Sequence, residues 1–445
     1  MKDPLHTIKE TLSALQRPFE EFLRLEAAGG LVLLAATLLA LGLANSPWAD
    51  AYHHLWELPL SLGVGGATVT RTLHHWINDG LMAVFFFVVG LELKRELLVG
   101  ELAELRTALL PAAAALGGML LPALLFHLLA PAGPEARGWG IPMATDIAFA
   151  LGVVALLGQR IPRAAAVFLT ALAIVDDLGA VLVIALFYSA DLSLPHLAAA
   201  GGCFALLVAG NRLGLRSPNF YALIGLGLWA ALLGSGIHAS IAGVLIGATI
   251  PIRARSERPV FLAQAQGLLS EFRQTTERHD PLHTEEQLRQ LLALEQACHD
   301  AMSPLQRMEH VMHDWVIFGV MPLFALANAG ISLSGDQLLA ALTHPVTHGV
   351  IAGLVVGKPL GIVLFAWLAV RLGLCRLPNG TSWRHIVGVG LLGGIGFTMS
   401  LFIASLAYEP AVLTLAAKVG IFIASLVAGT AGYGVLAWKG EGQKE

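Results

Sequence analysis

Two adjacent aspartates inside an apolar segment are the residues of this sequence with the clearest capacity for chemistry. Asp176 and Asp177 stand in the run Ala173-Ile-Val-Asp-Asp-Leu-Gly-Ala180. An ionised side chain within a membrane span costs about 2.5–3.5 kcal/mol on insertion scales, so such residues are usually functional. Burial and mutual repulsion both favour a protonated carboxyl, which lets a proton and a cation compete for the same oxygens. A structural pair satisfied by its neighbours is the alternative, but two mid-span acids are too costly for packing alone.

A second acidic position lies next to a proline in another apolar segment. Asp146 ends the run Gly140-Ile-Pro-Met-Ala-Thr-Asp146. Pro142 predicts a helix broken inside the membrane, with free backbone groups and half-helix dipole ends. Thr145 and Asp146 are then placed to face the break, to cap the second half-helix, or to do both.

A lysine stands in the middle of a later apolar segment. Lys358 lies in Gly353-Leu-Val-Val-Gly-Lys-Pro-Leu-Gly361, and glycines four residues apart allow another helix to approach closely. A mid-span lysine needs a carboxylate partner. Snorkelling to the membrane surface is the alternative, and it suits a mid-span position poorly.

Other ionisable residues mark the ends of apolar segments. Asp79 and Glu92 lie near the two ends of one such segment, and His238 follows the turn sequence Gly234-Ser-Gly-Ile. A histidine there is more often a helix cap than a sensor. Glu309 stands beside His310 and close to His313. Such a group can titrate near neutral pH, and it is equally typical of a solvated helix end.

Composition requires a membrane environment for all of these residues. Of the 445 residues 56% are hydrophobic and 13% are charged, and the mean hydropathy is +0.71. Soluble domains are about one-quarter charged, so this chain cannot coat a soluble surface of its size. Its three cysteines follow no metal-binding or disulfide spacing. The composition therefore predicts an all-α polytopic membrane protein.

Twelve apolar segments approach the roughly 20 residues that a membrane span needs. They lie near 26–45, 76–95, 107–130, 139–158, 164–189, 194–211, 219–234, 236–252, 314–333, 348–370, 386–407 and 411–438. With the N-terminus in the cytoplasm, the external loops receive only Arg71 and Arg137 of the 27 Lys and Arg residues. This bias predicts about twelve transmembrane helices with both termini cytoplasmic.

The polar segments complete the predicted organisation. Residues 1–25 form an amphipathic helix on the cytoplasmic surface, and 26–252 hold spans 1–8 with a small external β-hairpin at about 58–70. Residues 253–312 are a cytoplasmic polar insertion, either a helical linker or a regulatory element. Residues 313–438 hold spans 9–12, and 439–445 are a cytoplasmic tail.

Two predicted spans are interrupted in corresponding halves of the chain. The Pro-containing span 139–158 is matched by 386–407, which contains Gly393-Gly-Ile-Gly-Phe-Thr398. Paired interrupted spans indicate a transporter binding site near the membrane midplane.

These motifs together closely resemble the NhaA family of sodium/proton antiporters. The resemblance rests on the runs Trp76-Ile-Asn-Asp79, Gly90-Leu-Glu-Leu-Lys-Arg95, Ala144-Thr-Asp-Ile-Ala-Phe-Ala150, Val175-Asp-Asp-Leu-Gly-Ala180, Gly357-Lys-Pro-Leu-Gly-Ile362 and Gly394-Ile-Gly-Phe-Thr-Met399. Since the rule linking interrupted spans to binding sites was drawn in part from this family, it gives no independent support here.

The resemblance implies two inverted-topology repeats, spans 3–5 and 10–12, with broken helices 4 and 11 crossing near mid-membrane. Asp176 and Asp177 would bind the transported Na⁺ or Li⁺ and the protons, with Asp177 the central ligand. Thr145 and Asp146 would offset dipoles at the crossing. Lys358 would face either a half-helix terminus or Asp176.

The resemblance also implies roles for residues further from the pair. Asp79 and Glu92 would support helix assembly and access, and His238 and Glu309 would take part in the pH response. The external hairpin would join a homodimer in the bacterial inner membrane, and neither a cofactor nor a nucleic acid is expected. The activity would be electrogenic, pH-regulated exchange by alternating access, serving sodium and pH homeostasis. Two features depart from the expected pattern: the length of 253–312, and Gln306 where a basic residue is expected.

Two other protein classes could also use charges within a membrane. An intramembrane aspartyl protease needs two carboxylates that face each other from separate helices, which Asp176 and Asp177 cannot do. Pairing Asp146 with Asp177 would leave Lys358 unexplained. A cation channel usually has a symmetric ring or filter, whereas this chain has one asymmetric charged cluster.

Overall fold

A computed structural model of the chain describes residues 27–64, 67–130, 132–189, 192–274, 285–332 and 334–438. The predicted surface helix at 1–25 and the predicted tail at 439–445 lie outside the described residues.

The described chain is a bundle of long apolar helices. Their continuous Leu, Ala, Val and Ile runs leave leucines exposed on the outer surface, such as Leu186 at 74% and Leu223 at 71%. An outer surface of this kind fits lipid and does not fit water. Within the described residues nine helices are long and apolar enough to cross a membrane, or ten if one bent pair counts as a single span. The chain is a multi-pass membrane protein.

The helices are numbered here in chain order. They are α1 (Ala27–Ala44), α2 (Ala49–Glu57), α3 (Leu73–Leu98), α4 (Leu105–Leu129), α5 (Ile147–Leu157), α6 (Arg163–Phe187), α7 (Leu194–Arg212), α8 (Pro218–Leu233), α9 (Ile241–Thr249), α10 (Arg258–Gln274), α11 (Glu285–Ala301), α12 (Pro304–Asn328), α13 (Gly335–Leu342), α14 (Pro345–Arg371), α15 (Trp383–Gly393), α16 (Phe397–Ala407) and α17 (Ala411–Ala437).

A two-stranded antiparallel sheet stands between α2 and α3. Strand β1 (Pro59–Val64) pairs with β2 (Ala67–Thr72), and Pro59 lies opposite Thr72. The predicted small hairpin is therefore present, with a second strand that runs to Thr72. We refer to this end of the bundle as the hairpin side, and to the end that carries α10 and α11 as the insertion side.

Two of the predicted spans are shorter than the thickness of a bilayer. The predicted span 219–234 is the 16-residue helix α8, and 236–252 contains only the nine-residue helix α9. Nine residues rise about 14 Å, which is about half of the hydrocarbon thickness. The turn at Gly234–Gly236 delays the start of α9, and Pro251 follows its end. Lys94 of α3 holds that end by donating to the carbonyl oxygens of Ala248 and Ile250.

Two spans are interrupted where the sequence indicated. A 3₁₀ segment at Pro134–Met143 leads through extended residues 144–146 into α5. Helices α15 and α16 meet at an angle of 44° across a break at residues 394–396. Both interruptions leave helix ends inside the bundle.

Glycine allows a close backbone contact between α4 and α14. A Cβ on Gly361 would come within 2.0 Å of the carbonyl oxygen of Gly117, and a Cβ on Gly117 within 2.2 Å of that of Gly361. Backbone atoms of two packed helices cannot yield like a flexible side chain. This contact fixes α14, the helix that carries Lys358, against α4.

We expect Gly361→Ala to lower the thermal unfolding midpoint of the detergent-purified protein, because overpacking costs about 1–3 kcal/mol. The matched control is Gly201→Ala in α7, where a Cβ meets nothing within 4 Å. This control should leave the midpoint unchanged or raise it slightly, since alanine favours helix over glycine. Equal midpoints for the two variants would contradict the close contact.

Candidate ion-binding site at two interrupted helices

The two interrupted spans touch at their breaks. The backbone N–H of Asp146 donates to the carbonyl oxygen of Ile395 at 2.6 Å, and the Ser400 hydroxyl donates to that of Ile141 at 2.8 Å. Backbone groups freed inside a membrane cost several kcal/mol each when they lack partners. Each break supplies partners for the other.

The carboxylate of Asp146 serves two helix N-termini at once. One oxygen accepts from the N–H of Phe149 at 3.1 Å and caps α5, as the sequence allowed. The other accepts from the N–H of Thr398 at 3.0 Å and from the Thr398 hydroxyl, in the first turn of α16. A negative charge there offsets the positive ends of both helices.

The Thr145 hydroxyl links the break to the aspartate pair. It lies 2.9 Å from the carbonyl oxygen of Gly393, the last residue of α15, and 2.9 Å from Oδ2 of Asp176. A hydroxyl carries one proton and cannot donate fully to both oxygens. The arrangement therefore responds to the protonation of Asp176, since a protonated Asp176 would donate to Thr145.

Lys358 makes both of the contacts that the resemblance offered as alternatives. Its Nζ lies 2.8 Å from Oδ2 of Asp176 and also donates to the carbonyl oxygen of Met143, at the end of the 3₁₀ segment. Both charged side chains are fully buried. The lysine thus joins the negative end of a half-helix to one aspartate of the pair.

Asp177 faces a cavity instead. Neighbouring residues on a helix point about 100° apart, so the two carboxylates of α6 point in different directions. Asp177 lines a cavity of ≈ 360 Å³ together with Glu92, Glu309, His310 and His313, whereas Asp176 does not line it. The cavity extends toward the insertion side, along α3 and α12.

One oxygen of each aspartate is left without a hydrogen bond. Oδ1 of Asp176 and Oδ1 of Asp177 are buried and have no hydrogen-bond partner among the described residues. Hard carboxylate oxygens are suitable ligands for small alkali cations and for protons. In the same part of the chain no group of three or more His, Cys, Asp or Glu side chains could hold a resident metal.

A cluster of charged side chains borders the cavity on the insertion side. Arg95 bonds Glu309 at 2.9 Å and Glu96 at 3.0 Å, and His313 lies 3.5 Å from Glu92. Gln306 also lines the cavity, and its side-chain oxygen accepts from Ser303 at 3.1 Å. The predicted residues Glu92 and Glu309 thus line the same cavity as Asp177.

Asp79 and His238 form a separate pair near the hairpin side. The His238 ring lies 3.3 Å from the Asp79 carboxylate and 2.7 Å from the Ser240 hydroxyl. Asp79 precedes Glu92 by 13 residues on α3, about 20 Å along the axis. The predicted residues Asp79 and His238 therefore lie apart from Asp176 and Asp177.

Several features around the site were not predicted from the sequence. Helices α3, α12 and α14 each contain a π-helical turn, at Ile77–Leu81, Val316–Val320 and Ala352–Gly357. The last turn ends directly before Lys358, and such turns are frequent at functional sites. The glycines in and around these turns are the only sequence signal, and they do not distinguish a π turn from close packing.

Two tyrosines that the sequence analysis passed over fix the 3₁₀ segment. The Tyr188 hydroxyl donates to the carbonyl oxygen of Arg137 at 2.7 Å and accepts from the N–H of Gly140. The Tyr408 hydroxyl donates to the carbonyl oxygen of Glu135 at 2.6 Å. These residues follow α6 and α16 directly, so both helices hold the segment that leads to the break. Their position after apolar runs is also typical of ordinary interfacial tyrosines.

The chain is similar to known proteins over nearly its whole length. Residues 20–436 match the family described as Na⁺/H⁺ antiporter 1. A protein named Na⁺/H⁺ antiporter NhaA 2, from Syntrophotalea carbinolica, is 61% identical over 425 residues, covering 96% of this chain and 97% of that protein.

Two further relatives carry similar names. Na⁺/H⁺ antiporter NhaA of Acidithiobacillus ferrooxidans is 52% identical, covering 93% of this chain and 96% of its own length. Na⁺/H⁺ antiporter NhaA 1 of Saccharophagus degradans is 48% identical, and the match covers 97% of this chain and 94% of that protein. With a family match over nearly its whole length, this chain belongs to the Na⁺/H⁺ antiporter 1 (NhaA) family.

Proposed function

We propose that this protein exchanges Na⁺ or Li⁺ for protons across the bacterial inner membrane. One observation carries the proposal: of two adjacent buried aspartates, one is paired with a buried lysine and the other faces a cavity. The names of the relatives support the same activity. An antiporter is a transporter and not an enzyme, and no cofactor is needed.

Competition at the aspartate pair would perform the exchange. Asp177 binds either a proton or the cation, because its side chain lines the cavity and its Oδ1 has no hydrogen-bond partner among the described residues. Asp176 contributes its unpartnered oxygen to the same cation when Lys358 releases the carboxylate. Protonation of the carboxylates removes the negative charge that holds the cation and expels it. A small site of hard oxygens would accept Na⁺ and Li⁺ in preference to K⁺.

Alternating access would carry the loaded site from one face to the other. The cavity beside Asp177 opens toward the insertion side, which the charge bias assigns to the cytoplasm. In this proposal α8 and α9 complete twelve spans with both termini cytoplasmic. Spans 3–5 and 10–12 form the inverted repeats, and the breaks in spans 4 and 11 form their shared hinge.

Three further properties belong to the proposal. Two carboxylates and a lysine in one site can move more than one proton per cation, which would make the exchange electrogenic and able to use the proton-motive force.

Access to the site would change with pH. The groups that would adjust it are Glu92, Glu309 and the histidines beside the cavity, together with the pair His238 and Asp79. Such regulation would serve sodium and pH homeostasis. The hairpin β1–β2 would pair with that of a second copy in a homodimer, since a lone hairpin is marginally stable.

We expect Asp177→Asn to abolish cation-dependent proton movement, because asparagine cannot exchange a proton for a cation. The measurement uses proteoliposomes with an internal pH dye and an imposed proton gradient, to which NaCl, LiCl and KCl are added over a range of pH. The wild type should respond to Na⁺ and Li⁺ and not to K⁺.

The matched control for that experiment is Asp336→Asn, an exposed aspartate on α13, which should keep full exchange. Both variants should be present in the vesicles at wild-type levels. Normal exchange by Asp177→Asn would refute the site, and a K⁺ response equal to that of Na⁺ would refute the proposed cation class.

We expect Lys358→Met and Asp176→Asn to be coupled in stability. Removing one partner of a buried ion pair leaves an uncompensated charge and costs about 3–5 kcal/mol. The double variant Lys358→Met/Asp176→Asn leaves no such charge, so its unfolding midpoint should fall less than the sum of the two single decreases. Thermal unfolding in detergent measures all four proteins. Additive decreases would show that the 2.8 Å contact is not an energetic pair.

A further inference from the structure

A second cavity lies on the insertion side, apart from the aspartate pair. Its volume is ≈ 1200 Å³, and its walls come from the first turns of α4 and α6 and from the connection between α14 and α15. Along α6 the wall residue Arg163 precedes Asp176 by 13 residues, about 20 Å. The exchange mechanism proposed above makes no use of this cavity.

The charge in this cavity is predominantly positive. Arg106, Arg163 and Arg376 line it, and Glu101 is the acidic residue that accompanies them. Within the described part of the chain neither Arg106 nor Arg376 forms an ion pair. Helix α6 has no acidic residue in its first turn, where one would offset the positive helix end, whereas α4 has Glu104 at its N-cap.

Membrane topology alone does not explain this arrangement. Arginines collect on cytoplasmic loops because positive residues resist translocation. That rule favours arginine on each of the three segments but does not require the three to line one cavity. Like charges gathered in one place repel each other, and a bound anion would reduce that repulsion.

The walls of the cavity also show where it lies in the membrane. Buried Leu110 and Phe168 line its interior, and Leu374 lines its opening with 53% of its surface exposed. Leu105, next to Arg106, is 80% exposed. Exposed leucines beside arginines place the opening where lipid tails meet headgroups.

We propose that this cavity binds a phosphate-bearing anion through Arg106, Arg163 and Arg376. Guanidinium groups match the oxygens of phosphate in pairs, and basic pockets between membrane helices bind lipid headgroups. The anion is either the headgroup of an anionic phospholipid of the adjoining leaflet or inorganic phosphate from solution. The proposal concerns binding alone and stands whether or not the protein exchanges sodium for protons.

The test measures binding to the detergent-purified full chain. Thermal unfolding midpoints are recorded with dioleoyl phosphatidylglycerol, with dioleoyl phosphatidylcholine and with inorganic phosphate, over a range of concentrations. Native mass spectrometry counts the phospholipids that stay bound. The wild type is compared with Arg106→Gln/Arg376→Gln. The matched control is Arg258→Gln/Arg273→Gln, which removes two exposed arginines of α10 outside this cavity.

We expect phosphatidylglycerol to raise the midpoint of the wild type and of the control pair more than phosphatidylcholine does. In Arg106→Gln/Arg376→Gln the binding should weaken about 30-fold, since each basic residue near a membrane surface contributes about 1 kcal/mol. Ala164→Phe, which narrows the cavity beside Arg163 and keeps all its charges, should weaken binding as well.

The probes distinguish the two sources of the anion. If phosphatidylglycerol raises the unfolding midpoint and inorganic phosphate does not, the site binds lipid. If inorganic phosphate raises the midpoint and phosphatidylglycerol does not, the site binds a soluble anion. Equal binding by the wild type and by Arg106→Gln/Arg376→Gln would overturn the proposal and leave the arginines as topology determinants only. A shift that is the same for phosphatidylglycerol and phosphatidylcholine, with none for phosphate, would overturn it as well.

Discussion

The contact between two broken helices is the constraint on which the rest of this structure depends. A helix interrupted inside a membrane exposes N–H and carbonyl groups that water cannot reach. Here the two interruptions satisfy each other, with Asp146 N–H bonded to the carbonyl oxygen of Ile395 and the Asp146 carboxylate shared by the starts of α5 and α16. Neither break would be tolerable without the other, so the two interrupted spans must stay in contact at their breaks.

The same contact explains why a lysine and an aspartate can be fully buried. Lys358 lies between the Asp176 carboxylate and the carbonyl oxygen of Met143, so its charge balances a residue and a helix end together. If a proton or a cation neutralises Asp176, Lys358 loses one of its two partners. In the proposed exchange cycle this loss reaches the broken helix directly, because Met143 and Thr145 belong to the same interrupted span.

The sequence predicted where the two helices are interrupted, but it did not predict which groups pair with the interrupted backbone. Pro142 and the glycines at 393–396 are local signals, and both breaks lie where these residues are. Pairing between spans is set in three dimensions, so the resemblance left two partners open for Lys358, and the structure contains both. The short helix α9 was predicted as a full span because apolar composition continues beyond its nine residues. The π turns have no periodic signature that hydropathy could detect.

Because the two aspartates are adjacent in sequence, their carboxylates have different surroundings. A rotation of about 100° between neighbours sends one carboxylate to Lys358 and the other to the cavity. Had the acids been four residues apart, both would lie on one face of α6 and meet the same surroundings. One carboxylate could then not stay paired within the bundle while the other remained accessible. Placing them side by side puts a lysine-paired carboxylate and an accessible carboxylate on the same turn of one helix, so that binding at one changes the electrostatic potential at the other.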